Sequence, residues 1–394
     1  MTWWKYIVFI VVTIAVYAGL LTWVWRRFVT LLPVGRRVKL TILGSLVGLY
    51  PFIYILRRFD REVRFDTVEG LMVALYTVMV FLLLLMTLIL LRDGVWLILR
   101  GVDRLLVRMN RPPVLPSDPD RRRRLLGISS VGIAALAAGL LVLGIVQALS
   151  APEVNEVTVT DPRLPPQWSG LRIVVVGDLH VGPTLRREAV VRLVDRVRAV
   201  PADFVVIVGD LVDGPWSAVG PMLEPLRQLG RPVYFVSGNH ELYWKFPAWR
   251  PQLEALGITV LSETHVTLEK SGAKLLLGGI PDRFRWSGGP QPRDDGPRRS
   301  LVDAPPADYR ILLAHRPTTA PAAQEAGYDL MLSGHTHGGQ FFPFTLVSRL
   351  MPGGGWGLFR HQDLIYYVTK GAGFWGPPVR LFHRPEIVVL TLRR

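Results

Sequence analysis

The stretch LRIVVVGDLH, residues 171–180, is a run of β-branched apolar residues that ends in Gly-Asp and is followed closely by a histidine. Continuous apolar runs of this length are typical of strands buried on both faces of a sheet. In an open α/β sheet, ligand sites lie beyond the carboxyl ends of the strands. The stretch therefore predicts a buried strand that delivers Asp178 and His180 to a functional site.

The same arrangement recurs four times further along the chain. The further apolar runs that end in aspartate, asparagine or histidine are residues 202–210, 232–240, 309–315 and 328–335. Helices are predicted between them at residues 186–199, 219–229 and 318–326. This alternation predicts an α/β fold with crossover connections, in which the polar ends of five strands meet at one rim. Two more strands are predicted at residues 365–371 and 386–394, in a second sheet packed against the first.

Polar residues that could hold a metal ion stand at these strand ends. They are Asp178, His180, Asp210, Asp213, Asn239, His240, His315, His335 and His337. The chain contains no cysteine, which excludes thiolate ligands, disulfides and a cysteine nucleophile. Mixed oxygen and nitrogen donors of this kind suit divalent Mn, Fe, Zn or Ni.

The sequence resembles the calcineurin-like metallophosphoesterases. Their pattern of D-x-H, G-D-x-x-D, G-N-H-[DE], a single H and G-H-x-H is present in order as GDLHVG, GDLVDG, GNHELY, LLAHRP and SGHTHGG, within residues 177–339. Bacterial membrane-anchored or exported members are similar also in SGHTHGGQ and in the tail KGAGFWGPPVRLF, residues 370–382. The resemblance implies a sandwich of two mixed β-sheets flanked by helices, which we assign to residues 151–394.

The resemblance also implies a role for each matching residue. One divalent ion would be held by Asp178, His180 and His337, and a second by Asn239, His315 and His335, with Asp210 bridging the two. His335 and His337 then share one turn because they serve different ions. We expect manganese to be preferred over magnesium because imidazole nitrogens are among the ligands. Gly334, Gly338 and Gly339 would let the backbone approach the ions.

The remaining polar residues of these blocks have less definite roles. His240 is the candidate group that stabilises the transition state or protonates the leaving oxygen, and with Asp210 it forms the predicted catalytic pair. Asp213 is expected to orient a ligand. Glu241 either caps a helix or touches a ligand. The other histidines match no block and are interpreted as ordinary core or surface residues: His265, His361 and His383.

Residues 1–150 are predicted to form a separate transmembrane region. About 20 apolar residues cross the ~30 Å hydrocarbon core of a bilayer as a helix. The candidate spans are residues 6–25, 40–56, 70–91 and 125–149. The second is shorter and contains Pro51, so it either spans with little tilt or is re-entrant.

The basic loops between these spans predict their orientation. The loop after residue 25 is rich in arginine without an acidic residue, and the loop before residue 125 ends in four arginines. Both loops are expected in the cytoplasm, which places residues 151–394 outside it. The run DRRRRLLGISSVGIAALAAGLL, residues 120–141, also resembles a twin-arginine export signal, the alternative being an ordinary membrane anchor.

The formal net charge of +15 raises the question of a nucleic-acid partner. Much of the excess positive charge lies between the apolar runs, where basic residues meet lipid headgroups, so no nucleic-acid partner is expected.

The aromatic segment at residues 341–359 either faces lipid, covers the site or packs on the second sheet.

The sequence thus predicts a multi-pass protein of the cytoplasmic membrane that hydrolyses phosphoesters, either phosphodiesters or lipid- and envelope-linked substrates. One alternative is a pyrophosphate hydrolase acting on a nucleotide-linked diacyl sugar, which would need a cytoplasmic site. Another is a non-catalytic receptor or scaffold, for which a broken motif is expected and none is broken. A transporter is disfavoured because the spans at residues 6–25, 70–91 and 125–149 contain no charged residue.

Overall fold

The computed structural model describes residues 3–59, 65–244, 249–282, 295–351 and 353–394. The chain divides into two compact units, Met1–Leu143 and Gly144–Arg394. Four long helices occupy the N-terminal part of the chain: α1 Trp3–Arg27, α2 Arg36–Phe59, α3 Phe65–Arg108 and α4 Pro119–Leu149. The last six residues of α4 belong to the second unit.

Two of the described helical segments are long and apolar enough to cross a membrane, Gly70–Arg108 and Pro119–Leu149. A helix satisfies all its internal backbone hydrogen bonds, which is the requirement for crossing hydrocarbon. The spans proposed at residues 6–25 and 40–56 are helical, but their crossing of a membrane remains a prediction. Helix α3 continues past residue 91 to Arg108 without a break.

The second unit alternates strands and helices. Its strands are β1 Glu153–Thr160, β2 Arg172–Val176, β3 Phe204–Ile207, β4 Val233–Phe235, β5 Ile258–Val260, β6 Thr264–Lys270, β7 Ala273–Gly279, β8 Tyr309–Leu313, β9 Leu330–Ser333, β10 Gly357–His361, β11 Leu364–Val368 and β12 Glu386–Arg393. Its helices are α5 Arg187–Arg198, α6 Trp216–Val219, α7 Asn239–Tyr243, α8 Arg250–Ala255, α9 Gly296–Arg299, α10 Ala320–Glu325 and α11 Phe344–Leu350. All five runs that were predicted to end in polar residues contain a strand.

The predicted helix at residues 219–229 is instead a 3-10 helix over Gly220–Leu229. Pro225 lies inside it, and a proline interrupts the α-helical hydrogen-bond pattern because it has no backbone N–H.

The strands form two six-stranded sheets, with the orders β1-β12-β2-β3-β4-β5 and β10-β11-β9-β8-β7-β6. The two-sheet α/β fold is confirmed, but the prediction of one sheet containing all five polar-ended strands is wrong. Strands β2, β3 and β4 lie in the first sheet and β8 and β9 in the second.

The strand predicted at residues 386–394 was also assigned to the wrong sheet. It is β12, which pairs antiparallel with β2 and parallel with β1 in the first sheet. A continuous apolar run fits the middle of either sheet, so its composition does not decide between them.

The core lies between the sheets. Alternate residues of each strand point into it, for example Ile173 and Val175 from β2 and Ile311 and Leu313 from β8, all completely buried. Backbone hydrogen bonds continue past the strand ends, from Asp178 N to Gly209 O at 3.0 Å in the first sheet. The parallel strands of both sheets thereby bring their carboxyl ends to a common edge.

Candidate metal centre

The predicted ligand residues share an unusual backbone conformation. Asp178, His180, Asp210, His335 and His337 have φ angles of 52°, 52°, 50°, 74° and 50°. Residues with a side chain rarely adopt this left-handed region. Such strain costs on the order of 1–3 kcal/mol per residue and clusters at functional sites. The turns after three strands are therefore shaped to aim these side chains inward.

The first cluster consists of Asp178, His180 and His337, all buried. The Nε2 atoms of His180 and His337 lie 3.0 Å apart, and His337 Nε2 lies 3.8 Å from Asp178 Oδ1. Burial lowers the pKa of His180 to about 4 and holds the pKa of His337 well below its usual range. Both imidazoles are neutral at pH 7 and keep a nitrogen lone pair for a ligand bond.

The second cluster consists of Asp210, His315 and His335. His315 Nε2 lies 3.2 Å from Asp210 Oδ2 and 3.2 Å from His335 Nδ1. The other ring nitrogen of His315 lies 2.8 Å from the carbonyl oxygen of Val208, to which it donates, so Nε2 faces the cluster. Burial opposes protonation of His315, but the Asp210 carboxylate outweighs it and raises the pKa of His315 to about 10.

Asp210 connects the two clusters. Its Oδ2 atom lies 3.2 Å from His315 Nε2, 3.8 Å from His180 Nε2 and 4.0 Å from His240 Nε2. Burial raises its pKa, but the surrounding imidazoles overcome this and hold the pKa of Asp210 well below its usual range. A carboxylate that reaches both clusters is what a bridging ligand requires.

The donor set fits divalent ions. Two imidazole nitrogens 3.0 Å apart can both lie about 2.0–2.1 Å from one zinc-sized ion. The buried Nδ1 atom of His180 has no hydrogen-bond partner among the described residues. Nitrogen and oxygen donors without thiolates are shared by several divalent transition metals, so these clusters support metal binding without selecting the ion.

His240 and Asp213 form a pair beside the clusters. His240 Nδ1 lies 3.1 Å from Asp213 Oδ1, so Asp213 orients His240 and not one of the proposed ligands. Burial lowers the pKa of His240, but the Asp213 hydrogen bond and neighbouring carboxylates raise it overall. His240 also forms a third possible metal-binding group with His180 and Asp210.

Arg316, which was not predicted from the sequence, connects Asn239 to the second cluster. Arg316 donates from Nη2 to Asn239 Oδ1 at 3.2 Å, and its Nη1 lies 3.0 Å from His335 Nε2. Its Nε donates to Asp282 Oδ2 at 2.6 Å. Only its position directly after His315 could have drawn attention to it. The assignment of Asn239 as a ligand remains a prediction.

Glu241 holds the turn that carries Asp210. Its carboxylate accepts hydrogen bonds from the backbone N–H groups of Asp210, Leu211 and Val212, at 3.0, 2.7 and 3.1 Å. It also accepts one from Gly238 N at 2.6 Å, which caps the start of α7. Of the two roles considered for Glu241, helix capping is therefore observed, together with support of the Asp210 turn.

Arg380 is a second functional candidate that the sequence reasoning did not identify. It is completely buried and donates to the carbonyl oxygens of Gly373 and Lys370, at 2.6 and 2.7 Å. Its Nη2 also lies 3.2 Å from His337 Nδ1. Burial lowers its pKa to about 10, so it carries a positive charge at pH 7 directly behind the first cluster.

Two glycines are required by close packing at the site. A Cβ on Gly334 would overlap Asp178 Oδ2, and a Cβ on Gly238 would overlap Asp210 Oδ1. Gly338 and Gly339 have positive φ angles and pack against residues 344, 345, 356 and 370, and their approach to the ions remains a prediction.

The histidines that match no motif lie outside the clusters. His265 Nδ1 faces the carbonyl oxygen of Ser300 at 2.9 Å, and His383 packs on Trp356 with ring centroids 4.2 Å apart. Within the described ranges, neither these two nor His361 belongs to a group that could hold a metal.

The fold and the clusters together define a metal-binding α/β sandwich. The family model for calcineurin-like phosphoesterases matches residues 171–339, the range that contains both clusters. An uncharacterized metallophosphoesterase of Helicobacter pylori strain J99 is 32% identical, over 70% of this chain and 73% of that protein. One of Aquifex aeolicus is 32% identical, over 61% of this chain and 91% of that protein. The chain belongs to the calcineurin-like metallophosphoesterase family.

A relative from Danio rerio is described as a transmembrane protein with metallophosphoesterase domain. It is 35% identical over 272 residues, which cover 66% of this chain. The chain spans 61% of that protein's length. The apolar helices in the N-terminal part of the chain are consistent with a transmembrane region.

Proposed function

We propose that the protein is a membrane-anchored phosphoesterase that hydrolyses phosphodiesters or lipid- and envelope-linked phosphoesters with two divalent metal ions. The observation that carries this proposal is the position of Asp210 Oδ2, within 4 Å of imidazole nitrogens from both clusters. A shared carboxylate distinguishes a dinuclear centre from two independent sites.

The proposed ligand sets follow the two clusters. Asp178, His180 and His337 would hold one ion, Asn239, His315 and His335 the other, and Asp210 would bridge them. When bound, the two ions would supply Lewis-acid stabilisation of the phosphoryl oxygens and activation of a water. Manganese is the ion we expect to support turnover best. Binding requires His315 to release the proton that it shares with Asp210, so affinity should rise with pH.

His240 is the proposed proton donor to the leaving oxygen. Asp213 fixes its Nδ1 at 3.1 Å, so its Nε2 points toward the clusters. The raised pKa of His240 keeps a larger fraction protonated near neutral pH, as a general acid requires. The rings of Tyr243 and Trp375 pack against His240, with centroids 5.0 and 5.6 Å away, and limit its side-chain freedom.

We further propose a multi-pass anchor in residues 1–150 with four spans and a catalytic domain, residues 151–394, outside the cytoplasm. The basic loops support this orientation, and the apolar segments of α3 and α4 support insertion. A site on that face would meet lipid headgroups, envelope polymers or scavenged organophosphates, and not a cytoplasmic nucleotide-linked lipid.

Hydrolysis of bis-p-nitrophenyl phosphate and p-nitrophenyl phosphate by the purified full chain, with added Mn²⁺, tests the activity. We expect diester cleavage that is lost in Asp210→Asn. The matched control is Asp303→Asn, because Asp303 has a similar φ of 58° but is exposed. Equal activity in Asp210→Asn and the control would refute the two-metal proposal. Cleavage of the monoester alone would refute the diesterase assignment.

A further inference from the structure

The second unit exposes a group of large apolar side chains beside the loop that carries His335 and His337. Helix α11 contains no buried residue, although it is composed largely of Phe, Leu and Val. We define the apolar face by six residues, Phe344, Leu346, Leu350, Met351, Trp375 and Phe382, which are between 48% and 78% exposed. Contiguous exposed apolar surface is uncommon on a soluble domain and marks an interaction site.

The apolar face has two parts, one at residues 344–351 and one at residues 375–382. Both contact the loop that carries the metal-ligand candidates His335 and His337. Gln340 donates from Nε2 to the carbonyl oxygens of Trp375 and Pro377, each at 3.2 Å, and accepts from Trp375 N at 3.0 Å. The rings of Phe341 and Phe344 pack with centroids 5.5 Å apart. Gln340 follows His337 by three residues, so the face borders the metal centre.

The segment at residues 374–382, which contains Trp375 and Phe382 of the apolar face, contacts the end of the apolar helix α4. Arg380 N donates to the carbonyl oxygen of Gly144 at 2.9 Å, and Phe382 N donates to Gln147 Oε1 at 3.2 Å. Ala148 packs in a buried cluster with Phe374. At 1.5 Å per residue, Gly144 lies only about 7.5 Å before the end of α4, which is a candidate membrane span.

These contacts with α4 favour lipid as the partner that covers the apolar face. If α4 ends at the membrane surface, the segment at residues 379–382 lies beside its last two turns, at the depth of the lipid headgroups. Trp and Phe side chains are favoured at that depth because they combine apolar area with tolerance of a wet, polar boundary. A protein partner would have to compete with lipid at the same level.

We propose that the apolar face docks into the headgroup region of a lipid bilayer, so that the metal centre opens at the membrane surface. The partner is therefore a lipid surface and not a second protein. This inference rests on the proposed membrane anchor, on the exposed residues and on the contacts of α4, and it is independent of the proposed catalytic activity. It extends the role of the membrane from an anchor to a surface that the catalytic unit contacts directly.

The absence of cysteine from the chain allows a site-specific test on the intact protein. Leu350→Cys and Phe382→Cys are each labelled with an environment-sensitive fluorophore, NBD, in the full chain reconstituted into vesicles of phosphatidylcholine and phosphatidylglycerol. The control is Glu269→Cys, an exposed site on the edge strand β6. Glu269 pairs with Lys274 near the start of β7, at the end of the sheet opposite to the metal centre.

We expect blue-shifted emission at positions 350 and 382, with quenching by a lipid that carries a spin label near its headgroup, and neither effect at position 269. Emission at 350 and 382 equal to that of the control would overturn the proposal. Blue-shifted emission without lipid quenching would overturn it as well, because the face would then be covered by protein, such as a second copy. Phosphoesterase activity does not enter this readout.

Discussion

Replacing Glu241 with glutamine tests how the fold holds the proposed bridging ligand in its strained conformation. The carboxylate is 1% exposed and accepts four backbone hydrogen bonds, from Asp210, Leu211, Val212 and Gly238. Each of its oxygens accepts two of them. Glutamine keeps one oxygen and turns an NH₂ group toward the other two N–H donors, so two buried donors lose their acceptor.

The size of the effect follows from that count. An unsatisfied buried donor costs about 1–3 kcal/mol, so Glu241→Gln should destabilise the second unit by roughly 2–6 kcal/mol. For a unit of this size about 1 kcal/mol shifts Tm by 2–4 °C, which predicts a decrease of at least about 4 °C. Burial raises the pKa of Glu241 to about 7, so the comparison is made at pH 8, where the carboxylate is ionised.

The assay is thermal unfolding of the full chain followed by tryptophan fluorescence, together with Mn²⁺ affinity from titration calorimetry. The matched control is Glu254→Gln, whose side chain is 46% exposed and pairs with Arg250. An exposed pair contributes about 0–1 kcal/mol, so the control should change Tm little. We expect Glu241→Gln to weaken Mn²⁺ binding because the Asp210 turn relaxes. A Tm equal to that of the control would refute this role of Glu241.

Three other substitutions give distinct results. Gly334→Ala places a Cβ against Asp178 Oδ2, and a displaced ligand should lower kcat by roughly 10²-fold in the diester assay. Asp213→Asn should lower kcat on the order of 10²-fold without changing metal content, because Asp213 contacts His240; loss of metal would contradict this assignment. Burial lowers the pKa of His383 from 6.5 to about 4. Between these two pH values the unfolded chain binds a proton at His383 that the folded chain does not, so the free energy of unfolding is highest above pH 6.5 and decreases as the pH falls toward 4. His383→Gln should therefore reduce the drop in Tm between pH 6.5 and pH 4, and an unchanged drop would exclude His383 as its source.

Much of the second unit could be predicted from local sequence. Buried strands such as β2 and β3 lie in apolar runs rich in valine and isoleucine, and each run is followed by a glycine, Gly177 or Gly209. The aspartate after each glycine lies at the strand end. The five motifs predicted the family, which the comparisons confirm. The sequence could not decide which sheet receives β12, because a strand buried on both faces has no polar side to mark its position.

The supporting residues were harder to predict because they act through distant contacts. Arg380 reaches His337 across 43 positions of sequence and Arg316 reaches Asn239 across 77. Asp213 was expected to orient a metal ligand, and its observed partner is His240. Periodicity and spacing define faces of strands and helices, whereas these pairings depend on how two sheets pack.

The left-handed conformation of Asp178 and Asp210 was not predicted from the sequence. This conformation is most often adopted by glycine, and both residues directly follow one. The strain at these positions is supported by tertiary contacts such as those from Glu241, which residue types alone do not reveal.

The most direct test of the central claim is the metal content of the purified full chain after equilibration with Mn²⁺ and removal of free ions, measured by mass spectrometry. We predict two ions per wild-type chain and one in each of His335→Ala and His337→Ala, because these histidines belong to different clusters. A single ion in the wild-type chain, or two ions in either variant, would contradict a dinuclear centre bridged by Asp210.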